Sequence, residues 1–307
     1  MMSSNKGSFY TFLLFIGIIA VSFSAILVKW SEAPASILGM YRLLFTNVLL
    51  LPWLWTYRKQ WMNLLHKDWI KLIGSGLFLG LHFLLWMESL RHTTVASSTM
   101  ILAFEPILVM LGSYWMFNHR TSRKAIIGVG IALIGVAMIG WGDFSLSKQA
   151  LYGDLLSALG TVAVVIHLLL GQDLRQRVDS YAYNFTVFFV AGLSLAVFNL
   201  SSGMAFTGYP AVEWLLFGLM AVIPTVMGHM LFNWLLKYVN ATSISMSILG
   251  EPVGASLLAW LLLGEGLSPL QLAACTLLLF GVWLFLVNDH KGSKQSKHTE
   301  PAVNAPS

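Results

Sequence analysis

The sequence predicts an all-α integral membrane protein in which ten transmembrane helices form two inverted five-helix repeats. Three observations predict this fold: an apolar composition, ten apolar runs of membrane-spanning length, and a segment that occurs twice. Of the 307 residues, 57% are hydrophobic and only 10% are charged, whereas about a quarter of the residues in a soluble domain are charged. A soluble core could not bury this much apolar surface, so the surrounding solvent must be lipid.

Apolar runs of about 18 to 23 residues recur along the chain, and each is close to the length that crosses about 30 Å of hydrocarbon as a helix. The runs lie near residues 9–28, 34–55, 70–89, 94–116, 125–141, 151–171, 181–200, 213–236, 241–263 and 269–287. The sequence therefore predicts ten spans and a multi-pass membrane protein.

Two segments of the chain, SSTMILAFEPILVML and ISMSILGEPVGASLL, are near copies. Each places a glutamate directly before a proline inside an apolar run, at Glu105-Pro106 and Glu251-Pro252. An offset of 146 positions superposes the two pairs and aligns further features along the whole chain, which indicates an internal duplication. The predicted domains are a first five-helix repeat at 1–141, a second, inverted one at 142–288, and a disordered polar tail at 289–307.

The distribution of lysine and arginine predicts the orientation of the repeats. Because five is odd, the second repeat must enter the membrane from the opposite side. With both termini in the cytoplasm, most basic residues fall in cytoplasmic loops, as the positive-inside rule requires. The loop containing 58–71 carries four basic residues, and its counterpart at 204–217 carries none. We therefore expect a cell membrane protein, of an inner or plasma membrane, with both termini cytoplasmic.

An inverted repeat is typical of secondary transporters, because two related halves can rock about a central site and expose it alternately on each side. The sequence lacks the G-x-x-x-x-G-K-[ST] loop for ATP, the H-E-x-x-H motif and the G-x-S-x-G elbow. We therefore predict a carrier that is not an enzyme, has no cofactor or metal, and is powered by a gradient of protons or of substrate.

These features resemble a known family. Ten spans in two inverted repeats, a proline in the fourth span of each half, and the segment LGEPVGASLLAWLLLGEGLS are similar to the EamA-type branch of the drug/metabolite transporter superfamily. The resemblance covers about residues 9–288. It implies a central cavity lined mainly by spans one, three, four, six, eight and nine, and the export of a small metabolite, often an amino acid or a related compound.

The two glutamates are the first candidates for a functional site. A strongly charged side chain inside a span costs about 2.5–3.5 kcal/mol, so such groups are functional hypotheses by default. One interpretation of Glu105 and Glu251 is a proton-sensitive pair that faces a cavity. The alternative is structural: a carboxyl could satisfy the backbone groups that Pro106 and Pro252 free where they kink the helix and supply a hinge.

Polar and aromatic residues at helical spacing complete the predicted cavity lining. They share a helix face with one of the glutamates, or lie four residues apart in span three or span eight. The predicted lining, besides the glutamates, is His82, Trp86, Ser98, His229, Asn233 and Ser247. Aromatic rings would contact apolar or cationic parts of a substrate, whereas His and Asn would bind its polar ends. Hydrogen bonding between helices, worth about 1 kcal/mol, is the alternative.

Four further residues are weaker candidates for the same cavity. His167 is a lone histidine in span six, and Asp154 lies close to the start of that span. Arg42 follows Tyr41 in span two, where it could bind a substrate carboxylate. Snorkelling of Arg42 to the interface, or pairing with an acid, is the alternative.

The predicted partners are a small-molecule substrate and the lipid bilayer, and a homodimer is compatible with the sequence. The net charge of +5 does not predict nucleic-acid binding, because the basic residues lie in short loops and form no continuous stripe. Two alternatives to export remain open at this point. They are uptake by the same fold, and a membrane receptor or scaffold that binds a ligand without moving it.

Overall fold

The structure is a computed structural model that describes residues 2–93, 95–140, 147–263 and 269–296. Within these ranges the regular elements are fourteen α-helices, a 3₁₀ turn at Leu51–Trp53 and a π-helical segment at Ala221–Met230. The α-helices are α1 (Met2–Trp30), α2 (Ala35–Leu50), α3 (Leu54–Met62), α4 (His66–His92), α5 (Val95–Leu102), α6 (Glu105–Phe117), α7 (Arg123–Gly140), α8 (Lys148–Leu174), α9 (Ser180–Ser201), α10 (Ala211–Met220), α11 (Leu231–Leu235), α12 (Ala241–Ile248), α13 (Glu251–Leu263) and α14 (Pro269–Ser296).

Nine helical segments in the described ranges are long and apolar enough to cross a membrane. They are Phe9–Trp30, Ala35–Met62, His66–His92, Met100–Phe117, Lys148–Leu174, Ser180–Ser201, Ala211–Leu235, Ala241–Leu262 and Pro269–Asn288. The predicted span at 125–141 corresponds to α7, whose 18 residues reach about 27 Å at 1.5 Å per residue. The prediction of an all-α membrane fold is confirmed.

Two predicted boundaries fall at or beyond the limits of the described chain. The domain boundary at 141/142 lies in residues 141–146, outside the described residues. The polar tail predicted to be disordered from residue 289 is helical as far as Ser296, because α14 continues past the end of its apolar span. The remainder of that tail, 297–307, lies outside the described residues.

Both predicted helix breaks are present, and each lies directly before a glutamate. Two residues separate α5 from α6, which begins at Glu105, and two separate α12 from α13, which begins at Glu251. The chain crosses each break through a tight turn, with the Phe104 amide donating to Ile101 and the Gly250 amide donating to Ser247. A proline at the second position of a helix is favourable because its missing N–H has no partner there in any helix.

Helix α4 packs on both α8 and α9, and these contacts fix their relative directions. Lys71 near the start of α4 contacts Asp173 near the end of α8, and His82 contacts Gly160 closer to the start of α8. The two helices therefore run antiparallel. Glycines of α4 lie against α9 in the same order along both helices, so α4 and α9 run parallel.

Helix α2 runs antiparallel to α9. Asn199 near the end of α9 donates to the Ser36 carbonyl, and Tyr181 at its start donates to the Leu50 carbonyl at the end of α2. Since α4 and α9 are parallel, the first residues of α2 and of α4 lie at opposite ends of the bundle. The inverted orientation of the two complete repeats stays a prediction.

The interior of the bundle is apolar, and the side chains on its outside are apolar as well. The largest cluster of buried hydrophobic side chains joins α2, α4, α9 and α10, with fully buried rings at Phe188 and Phe217. On the outside, Trp115 is 82% exposed and Leu200 is 74% exposed. Such exposure would promote aggregation in water but suits contact with lipid.

Helices α7 and α14 pack closely through glycines. A methyl carbon added at Gly128 would lie 2.7 Å from the Gly281 carbonyl oxygen and 2.7 Å from the Phe285 amide nitrogen. A methyl carbon added at Gly281 would overlap the Ala132 amide nitrogen. These are contacts with backbone, which cannot rotate away. Small residues at this interface therefore allow the two backbones to approach, as in other membrane helix pairs.

We expect Gly128→Ala to destabilise the protein by about 1–3 kcal/mol, the usual cost of overpacking. Gly130→Ala is a matched control on the same helix, because a methyl group at Gly130 meets nothing within 4 Å. Its effect should be neutral or slightly stabilising, since alanine favours helix. Thermal unfolding in detergent, followed by tryptophan fluorescence, measures both. Equal melting temperatures for the two variants would contradict the packing described here.

Candidate functional site

A cavity of about 830 Å³, counting the space that opens to solvent, lies between the two halves of the chain. The lining comes from α1, α4, the α5/α6 break, α8, the π-helical segment, α11 and the α12/α13 break. The lining residues are Val21, Ser24, His82, Phe83, Trp86, Leu102, Ala103, Glu105, Val164, His167, Leu168, His229, Phe232, Asn233, Ser245, Ile248, Leu249, Glu251 and Pro252.

Most of the residues predicted to line a cavity are brought together here. Six of the eight main candidates line it: His82, Trp86, Glu105, His229, Asn233 and Glu251. The weaker candidate His167 lines it too, as does the predicted hinge residue Pro252. Placement alone does not assign a role, so their functions remain proposals.

The two glutamates reach the cavity from equivalent positions, each as the first residue of a helix. The N-terminus of a helix carries partial positive charge, which is favourable for an acidic side chain. Glu105 is only 5% exposed, and its Oε1 has no hydrogen-bond partner among the described residues. The backbone carbonyl of Glu251 accepts a hydrogen bond from Ser22 Oγ at 3.3 Å, which ties α1 to the second break.

Three histidines surround the cavity, and two are fixed by hydrogen bonds through Nδ1. His82 Nδ1 lies 3.0 Å from the Gly160 carbonyl oxygen and therefore donates to it, which leaves Nε2 for the cavity. His167 Nδ1 lies 2.9 Å from Ser75 Oγ. His229 packs edge-on against the Phe83 ring, with the ring centroids 5.2 Å apart. The His82 ring also stacks in parallel with Trp86, at a centroid distance of 6.2 Å.

Asn233 combines a position in the cavity wall with a structural role. Its side-chain amide donates to Asn184 Oδ1 at 2.9 Å, and its backbone carbonyl accepts from Arg175 Nε at 3.0 Å. Both alternatives considered for Asn233, cavity lining and helix–helix hydrogen bonding, therefore describe the same residue.

Arg42 lies close to the cavity but is not one of its lining residues. It is fully buried, its Nε donates to Thr225 Oγ1 at 3.0 Å, and its guanidinium carbon lies 4.2 Å from the centroid of the Phe83 ring. Neither snorkelling to the interface nor hydrogen-bonded pairing with an acid is observed among the described residues.

Other candidates lie outside the cavity. Ser98 is buried among hydroxyls, 2.8 Å from Ser89 Oγ, and the Ser247 hydroxyl donates to the carbonyl four residues earlier. Tyr41 donates to the Phe206 carbonyl at 2.5 Å, and Asp154 accepts from Thr93 and Ser97. Pro106 is buried within α6 but is not among the lining residues. For these residues, shared helical spacing did not imply a shared environment.

The cavity also contains residues that the sequence did not single out. Phe83 and Ser24 line it, and Ser24 Oγ has no hydrogen-bond partner in the described part of the chain. The signal for Ser24 was a hydroxyl within an apolar first span, and Phe83 had no signal beyond its position next to His82.

The π-helical segment was not predicted either. It carries His229, and its Thr225 hydroxyl donates to the Met220 carbonyl.

At one end of the bundle, four charged residues join α4 to the end of α8 and the turn after it. Arg177 Nε lies 2.8 Å from Asp68 and its Nη2 lies 2.8 Å from Asp173, which Lys71 also contacts at 2.6 Å. The hydrogen bonds to Asp173 and Asp68 raise the pKa of Arg177 further above its ordinary value, so it stays charged. We call Asp68, Lys71, Asp173 and Arg177 the charged end contact.

At the opposite end, a buried glutamate joins α10 to the loop after α1. Glu213 Oε2 accepts from Ser31 Oγ at 2.6 Å, and its Oε1 accepts from the Glu32 amide at 2.7 Å. We call Ser31, Glu32 and Glu213 the hydroxyl end contact. The two contacts lie at opposite ends because Asp68 is near the start of α4, whereas Ser31 lies in the short loop before the start of α2.

Comparison with known proteins identifies the family. The model of the EamA-like transporter family matches residues 8–141 and 151–287, which together make up most of the chain. The chain belongs to the EamA-like transporter family. The predicted resemblance is thereby confirmed, and the chain is a multi-pass membrane protein of a transporter family.

Individual relatives agree with this assignment. The chain is 23% identical to the uncharacterized transporter YdfC of Bacillus subtilis, over 92% of this chain and 91% of that protein. It is 22% identical to the uncharacterized transporter YetK of the same organism, over 83% and 79%. A 68-residue stretch, 22% of this chain and 61% of the relative, is 28% identical to a probable 4-amino-4-deoxy-L-arabinose-phosphoundecaprenol flippase subunit, ArnE, of Hamiltonella defensa.

A solved crystal structure has the same fold. It matches the chain with a TM-score of 0.77 and 16% sequence identity, covering 92% of this chain and 98% of the other. At this level of identity the likeness shows the fold alone.

The hydrogen bonding of two buried glutamates predicts opposite responses to the same substitution. Glu213→Gln should lower stability by about 1–3 kcal/mol, because one of its two acceptor oxygens becomes a donor that faces another donor. Glu105→Gln should leave the melting temperature unchanged or raise it, since Glu105 Oε1 has no partner to lose among the described residues. Thermal unfolding in detergent at neutral pH compares them, and a large loss for Glu105→Gln would contradict the description of its environment.

Proposed function

We propose that this chain is a secondary transporter that exports a small metabolite by alternating access. The observation that supports it best is the cavity between the two halves, which is lined at the two helix breaks. Broken helices at a central site are typical of secondary transporters, because backbone that leaves regular helix is tolerated at membrane depth only inside protein or beside a cavity.

The two end contacts supply the closures that alternating access requires. In the proposed cycle, the charged end contact separates when the cavity opens to the cytoplasm, and the hydroxyl end contact separates when it opens to the other side. This assignment uses the predicted cytoplasmic position of both termini. The proposed motion is a rocking of one half of the chain against the other, as in transporters with inverted repeats, and the antiparallel packing of α2 with α9 is compatible with such repeats.

Protons are the proposed coupling ion. Glu105 and Glu251 are the two carboxyls in the cavity lining, and each reaches it from a helix break. Protonation of a carboxyl removes the cost of burying its charge. Protonation of either glutamate would therefore change both the stability of the closed cavity and the helix break beside that glutamate. Coupling of transport to protons requires such a link.

The metabolite is proposed to combine an apolar or aromatic part with polar ends. The rings of Phe83, Trp86 and Phe232 and the side chain of Leu168 offer apolar contacts, while the histidines and Asn233 offer hydrogen bonds. An amino acid or a related compound has this chemistry. Uptake by the same fold is the alternative direction, and a receptor or scaffold that does not transport is the alternative class. A homodimer in the cell membrane also remains a proposal.

Transport should depend on the two carboxyls. In proteoliposomes loaded with a panel of labelled amino acids and related compounds, we expect efflux that an imposed proton gradient accelerates. Glu105→Gln and Glu251→Gln should each abolish the acceleration by the gradient while the protein remains folded. If no compound moves under any gradient although the protein is folded, export and uptake are both refuted.

Substitutions in the two end contacts should increase access to the cavity from opposite sides of the membrane. With Cys275 replaced by serine, Ser24→Cys places the remaining thiol in the cavity wall, and a membrane-impermeant maleimide can be added from either side. Arg177→Gln should speed labelling from the cytoplasmic side, because it removes the charge that joins Asp68 and Asp173. Ser31→Ala should speed labelling from the opposite side, because it removes a donor to Glu213. A receptor that opens on one side would respond to only one of the two substitutions.

A further inference from the structure

Arg42 carries a buried charge that the rest of the described chain does not neutralise through hydrogen bonds. It is 0% exposed, and Nε is held by Thr225, but Nη1 and Nη2 have no hydrogen-bond partner among the described residues. Burying a guanidinium without a paired anion is strongly unfavourable, and each unmet charged donor adds to that cost. A site that retains such a group is suited to an anion that is not part of the chain.

The guanidinium lies directly behind one wall of the cavity. That wall is the Phe83 ring, which lies 4.2 Å from the guanidinium carbon and also lines the cavity. Three more lining residues, His82, His229 and Glu251, interact electrostatically with Arg42. The Phe83 ring therefore contacts the guanidinium and also faces the cavity.

Glu251 does not serve as a dedicated partner of Arg42. The two residues attract each other through charge, yet both terminal nitrogens of Arg42 lack a hydrogen bond, so no bidentate pair forms. Paired arginines and carboxylates frequently form two parallel N–H···O bonds. The two terminal nitrogens of Arg42 are thus available to a carboxylate that is not part of the chain.

We infer that Arg42 binds the carboxylate of the transported molecule, and that this molecule is a small monocarboxylate with an apolar or aromatic body. This inference rests on the proposed function. A single negative charge fits better than a phosphate, because Glu105 and Glu251 would repel a second one. The apolar body lies against Trp86 and Phe232, while the carboxylate displaces the Phe83 ring and accepts two hydrogen bonds from Arg42.

Three probes with the same phenyl body test the inference: 3-phenylpropionate, 3-phenylpropionamide and 3-phenylpropylamine. Binding to purified protein in nanodiscs is measured by calorimetry at neutral pH, with no gradient present. Wild type should bind the carboxylate about tenfold tighter than the amide, a factor that corresponds to about 1.4 kcal/mol. Arg42→Gln should remove this preference and leave the affinity for the amide unchanged.

Arg58→Gln is the matched control. Arg58 also lies over an aromatic ring, at 3.9 Å from the Trp55 centroid, but neither residue lines the cavity. The control should keep the preference for the carboxylate. If Arg42→Gln does not fold, Arg42→Lys decides instead, because an ammonium keeps the charge but cannot form the bidentate fork. The preference should then fall severalfold, and an unchanged preference overturns the inference.

The outcomes separate this inference from the proposed function. The inference is refuted if wild type shows no preference for the carboxylate, or if Arg42→Gln weakens all three probes equally, since that loss would be structural. Carboxylate binding that depends on Arg42 in a protein that moves nothing in proteoliposomes would refute transport alone. Transport of other compounds by a protein that does not bind 3-phenylpropionate would refute the inference alone.

Discussion

Backbone groups without hydrogen bonds are too costly to expose to lipid, and this constraint determines where the chain may leave regular helix. The chain leaves α-helix at two equivalent places in the middle of long apolar segments, directly before Glu105 and Glu251. Both breaks contribute to the cavity wall, the first through Ala103 and Glu105 and the second through Leu249 and Glu251. The cavity thus lies where the two prolines interrupt their helices.

Several polar groups of the cavity wall are buried without a partner. Ser24 Oγ, Trp86 Nε1 and Glu105 Oε1 belong to lining residues and have no hydrogen-bond partner among the described residues. A fold selected only for stability would satisfy or remove such groups. Other polar groups of the wall are held by hydrogen bonds: His82 to the Gly160 carbonyl, His167 to Ser75 and Asn233 to Asn184. The cavity wall is therefore fixed at its hydrogen-bonded side chains, whereas its unpartnered polar atoms are available to a bound molecule.

The sequence predicted the spans, both helix breaks and most of the cavity lining because these depend on length, proline and helical periodicity. It could not distinguish the environments of residues on one helix face: Ser247 bonds to its own helix, although Glu251, four positions later, lines the cavity. Arg42 illustrates a second limit. Its setting depends on Phe83 and Thr225, which lie on other segments of the chain, and periodicity within span two carries no information about them.

The contacts at the two ends of the bundle differ in their physics. Arg177 is 37% exposed at its side chain, so the charged end contact is open to counterions, and an exposed ion pair weakens as the salt concentration rises. Glu213 is 3% exposed, and the hydroxyl end contact is shielded from them. In the proposed cycle, salt in the compartment that bathes Arg177 loosens the charged end contact and leaves the hydroxyl end contact unchanged. The resting conformation of such a carrier is then a function of the ionic strength on one side of the membrane.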